Sequence, residues 1–204
     1  MTEQRPYHHG ALRPALVAAA HTILSELGTT GLTLRECARR AGVSHAAPKH
    51  HFPDKTSLLT AVAAAGFRDL TASMDAYNQA AGREPSVRLR EVGVGYIAFA
   101  MGQPATFRLI FGQSGLYIDD PEYVTAATAA FDRLADAVVA ASDITDRTDP
   151  RAEQRMKQAW STVHGYAMLW LSGALTNVLH VPSDPTAALD DARRFLIGAA
   201  ELHR

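Results

Sequence analysis

Hydroxyl, imidazole and ammonium side chains are concentrated between positions 33 and 55 of the chain. The set includes Thr33, Ser44, His45, Lys49, His50 and Lys55. Groups of these types hydrogen-bond phosphate oxygens and the base edges in the grooves of DNA. Thr33 and Lys55 each stand where a helix is predicted to begin, and the free N–H groups of a helix N-terminus bind phosphate. The chemistry that these residues favour is nucleic-acid binding.

The charge of the chain is unevenly distributed. Over 204 residues the net charge is −1, which by itself does not suggest a nucleic-acid-binding protein. Residues 1–60, however, carry seven Lys and Arg against four Asp and Glu, and six of the nine His. Residues 61–204 carry 13 basic and 17 acidic residues. A positive N-terminal part beside a negative remainder is a modest indication of a surface that faces phosphate.

Helix signals between residues 11 and 52 predict how these side chains are positioned. The capping box Thr33-Leu-Arg-Glu36 opens a helix, because the threonine hydroxyl can accept a backbone N–H while the glutamate reaches back. Gly42 ends that helix, since glycine tolerates a positive φ, and Ser44 is the predicted N-cap of a short third helix. Two helices joined by so tight a turn have the spacing of a helix-turn-helix, whose second helix enters the major groove.

Several segments closely resemble the DNA-binding domain of TetR-type transcriptional regulators. They are Tyr7-His-His-Gly-Ala-Leu-Arg13, the stretch LTLRECARRAGVS at 32–44, and His51-Phe-Pro-Asp-Lys55 followed by Leu58 and Leu59. Downstream, Trp160-Ser-Thr-Val-His164-Gly165 resembles the Trp…His-Gly signature of one C-terminal subclass of these regulators. The resemblance implies an all-α homodimer of about nine helices, with a three-helix helix-turn-helix head followed by a C-terminal helical bundle.

The resemblance also implies a division of the chain and a set of DNA contacts. Residues 1–55 would form the N-terminal arm and DNA-binding head, extended by a fourth helix to about residue 79, and residues 80–204 the effector-binding and dimerisation domain. The residues expected at phosphates or in the groove are Thr33, Ser44, His45, Ala46, Lys49, His50 and Lys55. Arg5 and Arg13 belong to a polar arm that can reach neighbouring phosphates or a minor groove. The family usually has an aromatic residue at the position of Lys49, whose ammonium could contact either a phosphate or a guanine.

Aromatic residues and Met on the internal faces of the C-terminal helices are candidates for a ligand pocket, which needs apolar walls and a few polar groups. The candidates are Tyr96, Phe99, Gln103, Phe107, Phe111, Trp160, His164, Met168 and Asn177. Trp160 and His164 are four residues apart, so they project from one face of a helix. Core packing is the competing interpretation for each apolar member. The expected effector is a partly apolar small molecule.

The helices predicted at 150–178 and 185–203 carry more apolar surface than one domain needs. Apolar side chains lie nearly all round them, and small residues allow close helix approach, which favours a four-helix interface between two chains. The interface candidates are Ala167, Leu171, Ala174, Leu175, Val178, Leu189, Phe195 and Leu196. The alternative is a helix buried within one large domain.

No catalytic site, cofactor or metal site is expected from the sequence. Cys37 is the only cysteine and lies on the inward side of the second predicted helix, which is typical of a small buried hydrophobe. The adjacent pairs His8-His9 and His50-His51 would diverge on a helix and would not chelate a metal. A single cysteine, and the lack of any apolar run near the roughly 20 residues of a membrane span, favour a cytoplasmic protein without membrane contact.

The function that these patterns and the resemblance together imply is a ligand-responsive transcriptional regulator. It would bind a palindromic operator as a dimer, act as a repressor, and be released by its effector. Two alternatives stay open at this point: a helical ligand-binding protein without DNA binding, and an all-helical enzyme that uses His164.

Overall fold

The computed structural model describes residues 12–112 and 115–201, and in these residues all regular structure is helical. The nine α-helices are α1 Leu12–Gly31, α2 Leu34–Arg40, α3 Lys55–Ala80, α4 Pro85–Gly102, α5 Pro104–Gly112, α6 Pro121–Ala140, α7 Pro150–Leu171, α8 Ala174–Leu179 and α9 Pro185–Glu201. One short 3₁₀ helix, Ala47–His50, lies between α2 and α3. The all-α prediction is confirmed. Within this described part, no helix combines the length and apolarity that crossing a membrane requires.

Side-chain caps fix the starts of α2 and α3. The Thr33 hydroxyl accepts a hydrogen bond from the Glu36 backbone N–H at 3.1 Å, as the sequence predicted. At the start of α3, the Ser57 N–H donates to the Asp54 carboxylate at 2.8 Å, and the Asp54 N–H donates to the Ser57 hydroxyl at 3.3 Å. A cap of this kind stabilises a helix by about 1 kcal/mol. The position where the long helix begins is therefore set locally.

The predicted return contact of Glu36 in the capping box does not form. Its carboxylate instead accepts hydrogen bonds from Arg39 at 2.6 Å and from Arg40 at 3.0 Å. Charge-assisted bonds to guanidinium groups are stronger than a bond to one neutral backbone N–H. These bonds lower the pKa of Glu36 to about 2, so the carboxylate stays ionised at neutral pH.

The segment predicted as a short recognition helix is a 3₁₀ turn and not an α-helix capped by the Ser44 side chain. The Ala47 N–H donates to the Ser44 backbone carbonyl at 3.0 Å, three residues back. Pro48 has no N–H to extend an α-helical ladder, and its ring disfavours the α conformation of the residue before it. The recognition segment Ala47–His50 is consequently four residues long.

The helix predicted over 150–178 is divided in two. Gly173 adopts φ 78°, in the left-handed region that glycine tolerates, and it separates α7 from α8. A left-handed residue interrupts the helical periodicity, so the side chains of α8 do not continue the stripe of α7.

Helix α3 lies at the centre of the molecule. It packs most extensively against α4 and α6, and it also contacts α1 and α5. The backbones of α3 and α4 approach closely at Gly95, where an added Cβ would lie 2.8 Å from the Met74 Cα and from the Ser73 carbonyl oxygen. The Ser73 hydroxyl also donates to the Gly95 carbonyl at 2.8 Å. The two helices are therefore held at a fixed distance.

Candidate functional site

The structure exposes the side chains that were predicted to face the DNA groove. Exposed positions in and before the recognition segment are Ser44, His45, Ala46, Lys49 and His50. Pro48 and Phe52 are buried beneath them and attach the segment to the rest of the head. Thr33 is exposed at the start of α2, and its hydroxyl still has a proton to donate. The head presents a small basic and polar surface around the turn.

Arg13 faces the C-terminal part of the chain in this structure. Its guanidinium donates to the Glu122 carboxylate of α6 at 2.6 Å and lies 5.3 Å from the centroid of the Phe52 ring. A guanidinium gains from both a carboxylate and an aromatic face. A phosphate contact by Arg13 would therefore require this ion pair to open. Arg5, the other predicted arm residue, lies outside the described residues.

Lys55 is half-buried, and its ammonium has a partner within the chain. The Nζ atom donates to the Thr29 carbonyl oxygen near the end of α1, at 2.5 Å. This bond satisfies a helix-terminal carbonyl. An ammonium has three N–H donors. The same side chain can therefore hold α1 against α3 and bind a phosphate.

A cavity of about 280 Å³ lies between α3, α4, α5, α6 and α7. The side chains around it are Phe67, Leu70, Met74, Tyr96, Ile110, Phe111, Tyr123, Ala127, Ala130, Phe131, Leu134 and Trp160. None of them is charged. Three of the predicted ligand contacts, Tyr96, Phe111 and Trp160, are among them. The cavity has the apolar walls that small-molecule sites require.

A hydrogen-bonded chain runs behind the cavity wall. The Trp160 indole N–H donates to the Tyr96 hydroxyl at 3.3 Å, and that hydroxyl lies 2.8 Å from Nδ1 of His164. Because an indole can only donate, Tyr96 accepts from Trp160 and has its own proton free for a neutral His164. Burial lowers the pKa of His164 and raises that of Tyr96, so both neutral forms are favoured. His164 is also stacked on Phe107, at 5.5 Å between ring centroids, and these two residues support the wall from behind.

Four predicted ligand contacts lie away from the cavity lining. Phe99 is buried in the core, at 6.3 Å from Phe107 between ring centroids. Gln103 sits at the junction of α1 and α3, where its amide bonds to His21 at 2.9 Å and to Asp69 at 3.2 Å. Met168 is exposed on an outer face of α7, and Asn177 is exposed on α8, beyond the break at Gly173.

The prediction missed the contribution of α3 and α6 to the cavity. Helix α3 supplies Phe67, Leu70 and Met74, and α6 supplies Tyr123, Ala127, Ala130, Phe131 and Leu134. The α6 residues recur at intervals of three or four, so they form one helical face. That periodicity was visible in the sequence, but it does not tell a cavity wall from a core-facing stripe.

The predicted interface residues differ in exposure. Val178 and Phe195 are exposed, with 71% and 43% of their surface accessible. Leu171, Ala174, Leu189 and Leu196 are half-buried. Ala167 and Leu175 are buried inside the protomer, because α7 and α8 pack these side chains against their own chain, which removes them as contacts to a second copy. Other exposed apolar side chains on the same helices are Met168, Leu169, Leu179 and Ile197.

Among the residues described, no set of three His, Cys, Asp or Glu side chains is placed to hold a metal ion. Cys37 is fully buried, as predicted for a core residue. Burial raises the pKa of its thiol to about 11, which disfavours the reactive thiolate.

Two family models match the chain. Residues 16–62 match the model described as bacterial regulatory proteins, tetR family, and residues 89–196 match the tetracyclin repressor-like C-terminal domain. The first match includes α2 and the recognition segment, and the second includes the cavity walls contributed by α4, α5, α6 and α7. The Trp…His-Gly subclass stays a prediction.

Individual relatives agree with these matches. Over 80 residues the chain is 38% identical to the HTH-type transcriptional regulator BetI of Burkholderia thailandensis, a match that covers 39% of this chain and 41% of that protein. A solved structure of a protein of unknown function from Rhodococcus sp. RHA1 is 33% identical, has a TM-score of 0.76, and aligns with 96% of this chain and 98% of its own.

A more distant structure shares the fold alone. FadR from Bacillus subtilis, solved in complex with stearoyl-CoA, is 14% identical, with a TM-score of 0.66 over 91% of this chain and 98% of that chain. The chain spans less than half the length of the curated relatives it matches, so their activities do not transfer directly. The C-terminal family model, in contrast, covers more than half of this chain. The protein belongs to the tetR family of bacterial regulatory proteins.

Proposed function

We propose that the protein is a ligand-responsive DNA-binding regulator of transcription that represses its target and is released from a palindromic operator by a small molecule. The observation that carries this proposal is the continuity of α3. This single helix begins at Lys55 beside the recognition segment and lines the cavity with Phe67, Leu70 and Met74. A ligand in the cavity therefore touches the same rigid element that supports the head. Two states that differ in ligand affinity would then differ in head position.

The proposed DNA complex contains two copies of the chain. One four-residue recognition segment covers a single half-site, and two heads would enter successive major grooves about 34–36 Å apart. Residues 1–55, with the first part of α3, would form each DNA-binding head, and residues 80–204 the effector and dimer domain. The operator and the regulator would meet in the cytoplasm.

Four hydrogen bonds support coupling between the head and the cavity. Glu122, next to the cavity residue Tyr123, accepts hydrogen bonds from Arg13 on α1 at 2.6 Å and from Arg68 on α3 at 2.9 Å. The Tyr117 hydroxyl donates to Asp54, the cap of α3, at 2.7 Å. The bond between Gln103 and His21 described above is the fourth. A shift of α6 on ligand binding would act directly on the two bonds of Glu122.

Selection of DNA sequences by the purified full-length protein tests the proposal. From a pool of random duplexes, the protein should enrich a palindrome and bind it with an affinity that falls steeply with salt concentration. The same palindrome should occur in intergenic DNA near the gene for this protein. Enrichment of no sequence, or binding without any salt dependence, would contradict the proposal and favour a ligand-binding protein that does not bind DNA.

Lys55→Ala should weaken binding to every DNA sequence to a similar degree. If Lys55 contacts a phosphate, its loss lowers the slope of log K against log salt by about one per subunit. The lost bond to the Thr29 carbonyl should also lower the free energy of unfolding by about 1 kcal/mol. Fluorescence anisotropy at several salt concentrations and thermal melting measure the two effects. Lys55→Gln keeps a hydrogen-bond donor but not the charge. This variant should therefore bind DNA more weakly while it keeps the stability of the unsubstituted protein. A change in base preference would show that Lys55 reads a base.

Glu122→Gln should strengthen operator binding and steepen its salt dependence. The change weakens the ion pair that holds Arg13, so its guanidinium becomes available to a phosphate. Each new phosphate contact should steepen the slope of log K against log salt by about one per subunit. Asp132→Asn is the matched control, because it removes the same charge from α6, where Asp132 pairs with Arg147 on the surface. Adding Arg13→Ala to Glu122→Gln should restore the original slope. An unchanged slope in Glu122→Gln would exclude Arg13 as a DNA contact.

A further inference from the structure

The walls of the cavity are aromatic and carry no charge. Six of its side chains are aromatic, namely Phe67, Tyr96, Phe111, Tyr123, Phe131 and Trp160, and the others are Ala, Leu, Ile or Met. No Lys, Arg, Asp, Glu or His side chain lines it. An ion that entered would lose its hydration without gaining a counter-ion, which is costly in an apolar environment. The wall therefore selects for a neutral molecule.

The polar atoms of the wall leave one hydroxyl for a ligand. The Tyr96 hydroxyl and the Trp160 indole N–H are already bonded to each other, and Tyr96 is also bonded to His164. Tyr123 is the remaining phenol among the cavity residues, and its hydroxyl has no hydrogen-bond partner within the described chain. A ligand with one or two polar atoms can be satisfied here. A strongly polar ligand would have groups left unpaired.

The size and ring arrangement indicate a small planar ligand. A cavity of about 150 Å³ lined by apolar side chains holds benzene, so about 280 Å³ is suited to a molecule of about two fused rings. Some pairs of wall rings stand edge to face, such as Phe67 and Tyr123 at 5.5 Å and 80°, and Phe131 and Trp160 at 6.4 Å and 80°. Others are tilted, such as Tyr96 and Phe111 at 38°. A flat aromatic ligand can stack on or meet the edges of such rings. A flexible aliphatic chain of equal volume would lose more conformational freedom on binding.

We propose that the cavity binds a neutral, planar aromatic molecule of about two fused rings with at most a few polar atoms. That this molecule is the effector rests on the proposed function. The ring faces alone could attract a cation. With no carboxylate in the wall, however, the cation would keep no ionic partner after its desolvation. An anion would meet the negative faces of the rings without a guanidinium or ammonium group in the wall. Both charged classes are therefore disfavoured relative to the neutral one.

Isothermal titration calorimetry with three naphthalene derivatives tests the proposed class of ligand. 1-Naphthol is neutral at pH 7, 1-naphthoate is an anion, and 1-naphthylmethylammonium is a cation. We expect 1-naphthol to bind the full-length protein at least 10-fold more tightly than either ion and than 1-decanol, a neutral aliphatic probe. Equal or tighter binding of an ion or of decanol would overturn the proposal, and so would the absence of measurable binding by 1-naphthol.

Two variants of α6 locate the bound probe. Ala127 lines the cavity, so Ala127→Phe should fill it and reduce naphthol affinity at least 10-fold. Ala129 is exposed on the same helix outside the lining, so Ala129→Phe should leave the affinity unchanged. Equal naphthol affinity in both variants, with cooperative thermal unfolding retained, would place the probe elsewhere and overturn the proposal.

Operator binding, measured separately by anisotropy without any probe, distinguishes this inference from the proposed function. If the protein binds naphthol in the cavity but binds no DNA, the proposed regulator function is wrong and the proposed class of ligand is supported. If the protein binds its operator but prefers an ionic probe, the proposed regulator function is supported and the proposed class of ligand is wrong.

Discussion

The double substitution Val178→Glu and Leu179→Glu is expected to convert the proposed dimer into monomers and to reduce operator affinity at least 100-fold. The two side chains lie next to each other on α8, with 71% and 67% of their surface accessible. Leu169 of α7, the helix that packs against α8, is also exposed. Exposed apolar side chains gathered on contacting elements mark an interaction surface. Two carboxylates placed there would be buried without partners in a dimer interface, which strongly opposes association.

The loss of DNA affinity follows from the loss of the dimer. When two heads are joined, binding of the second half-site is intramolecular and raises the overall affinity by about 10²–10⁴. A monomer keeps only the contacts of one DNA-binding head. Size-exclusion chromatography with light scattering measures the mass, and anisotropy measures operator binding.

A matched double variant separates this effect from added negative charge. Ile118→Glu and Val124→Glu introduce the same two charges at exposed apolar positions outside α7, α8 and α9. This control should stay dimeric and should keep most of its operator affinity. A Val178→Glu and Leu179→Glu protein that remains a dimer would place the interface on another surface. A monomer that binds the operator with undiminished affinity would contradict the two-headed complex.

Local sequence patterns predicted the elements of this protein well. The Thr33 cap, the turn at Gly42 and the start of the long helix at Asp54 each depend on residues within a few positions, and the structure contains them. The 3₁₀ recognition segment was also decided locally, by Pro48. A proline near the first turn is compatible with an α-helix as well, so the sequence pattern alone did not distinguish the two helix types.

Contacts between distant positions could not be predicted from one sequence. Arg13 and Glu122 are 109 residues apart, and Gln103 and His21 are 82 apart. Nothing in the local pattern of either partner specifies the other, so the sequence suggested a free DNA contact and a pocket residue instead. The same limit explains Ala167. An apolar helix with small residues is compatible with a dimer contact or with burial in its own chain, and the packing of the other helices decides.

Lys49→Ala is expected to reduce operator affinity about 30-fold for the dimer. Lys49 is exposed at the centre of the recognition segment. A lost contact of about 1 kcal/mol in each of two half-sites gives about 2 kcal/mol, which corresponds to that factor. Lys157→Ala is the matched control, because Lys157 is an exposed lysine on α7 far from the head in sequence, paired with Glu153. The control should leave operator binding unchanged.

The pattern of the loss decides what the Lys49 ammonium contacts. If it binds a phosphate, Lys49→Ala should weaken all sequences to the same degree and lower the salt slope by about two per dimer. If it donates to a guanine, the loss of affinity should be confined to operators with that base pair. The Lys49→Ala variant should then bind operators with any base pair at that position with equal affinity. Lys49→Tyr restores the aromatic type that is usual in the family and separates the cases further. A tyrosine hydroxyl can replace a backbone contact without the charge, whereas it cannot reproduce a lysine's bond to guanine O6 and N7 through two donors. Recovery of affinity in Lys49→Tyr with the lower salt slope would therefore assign Lys49 to the DNA backbone.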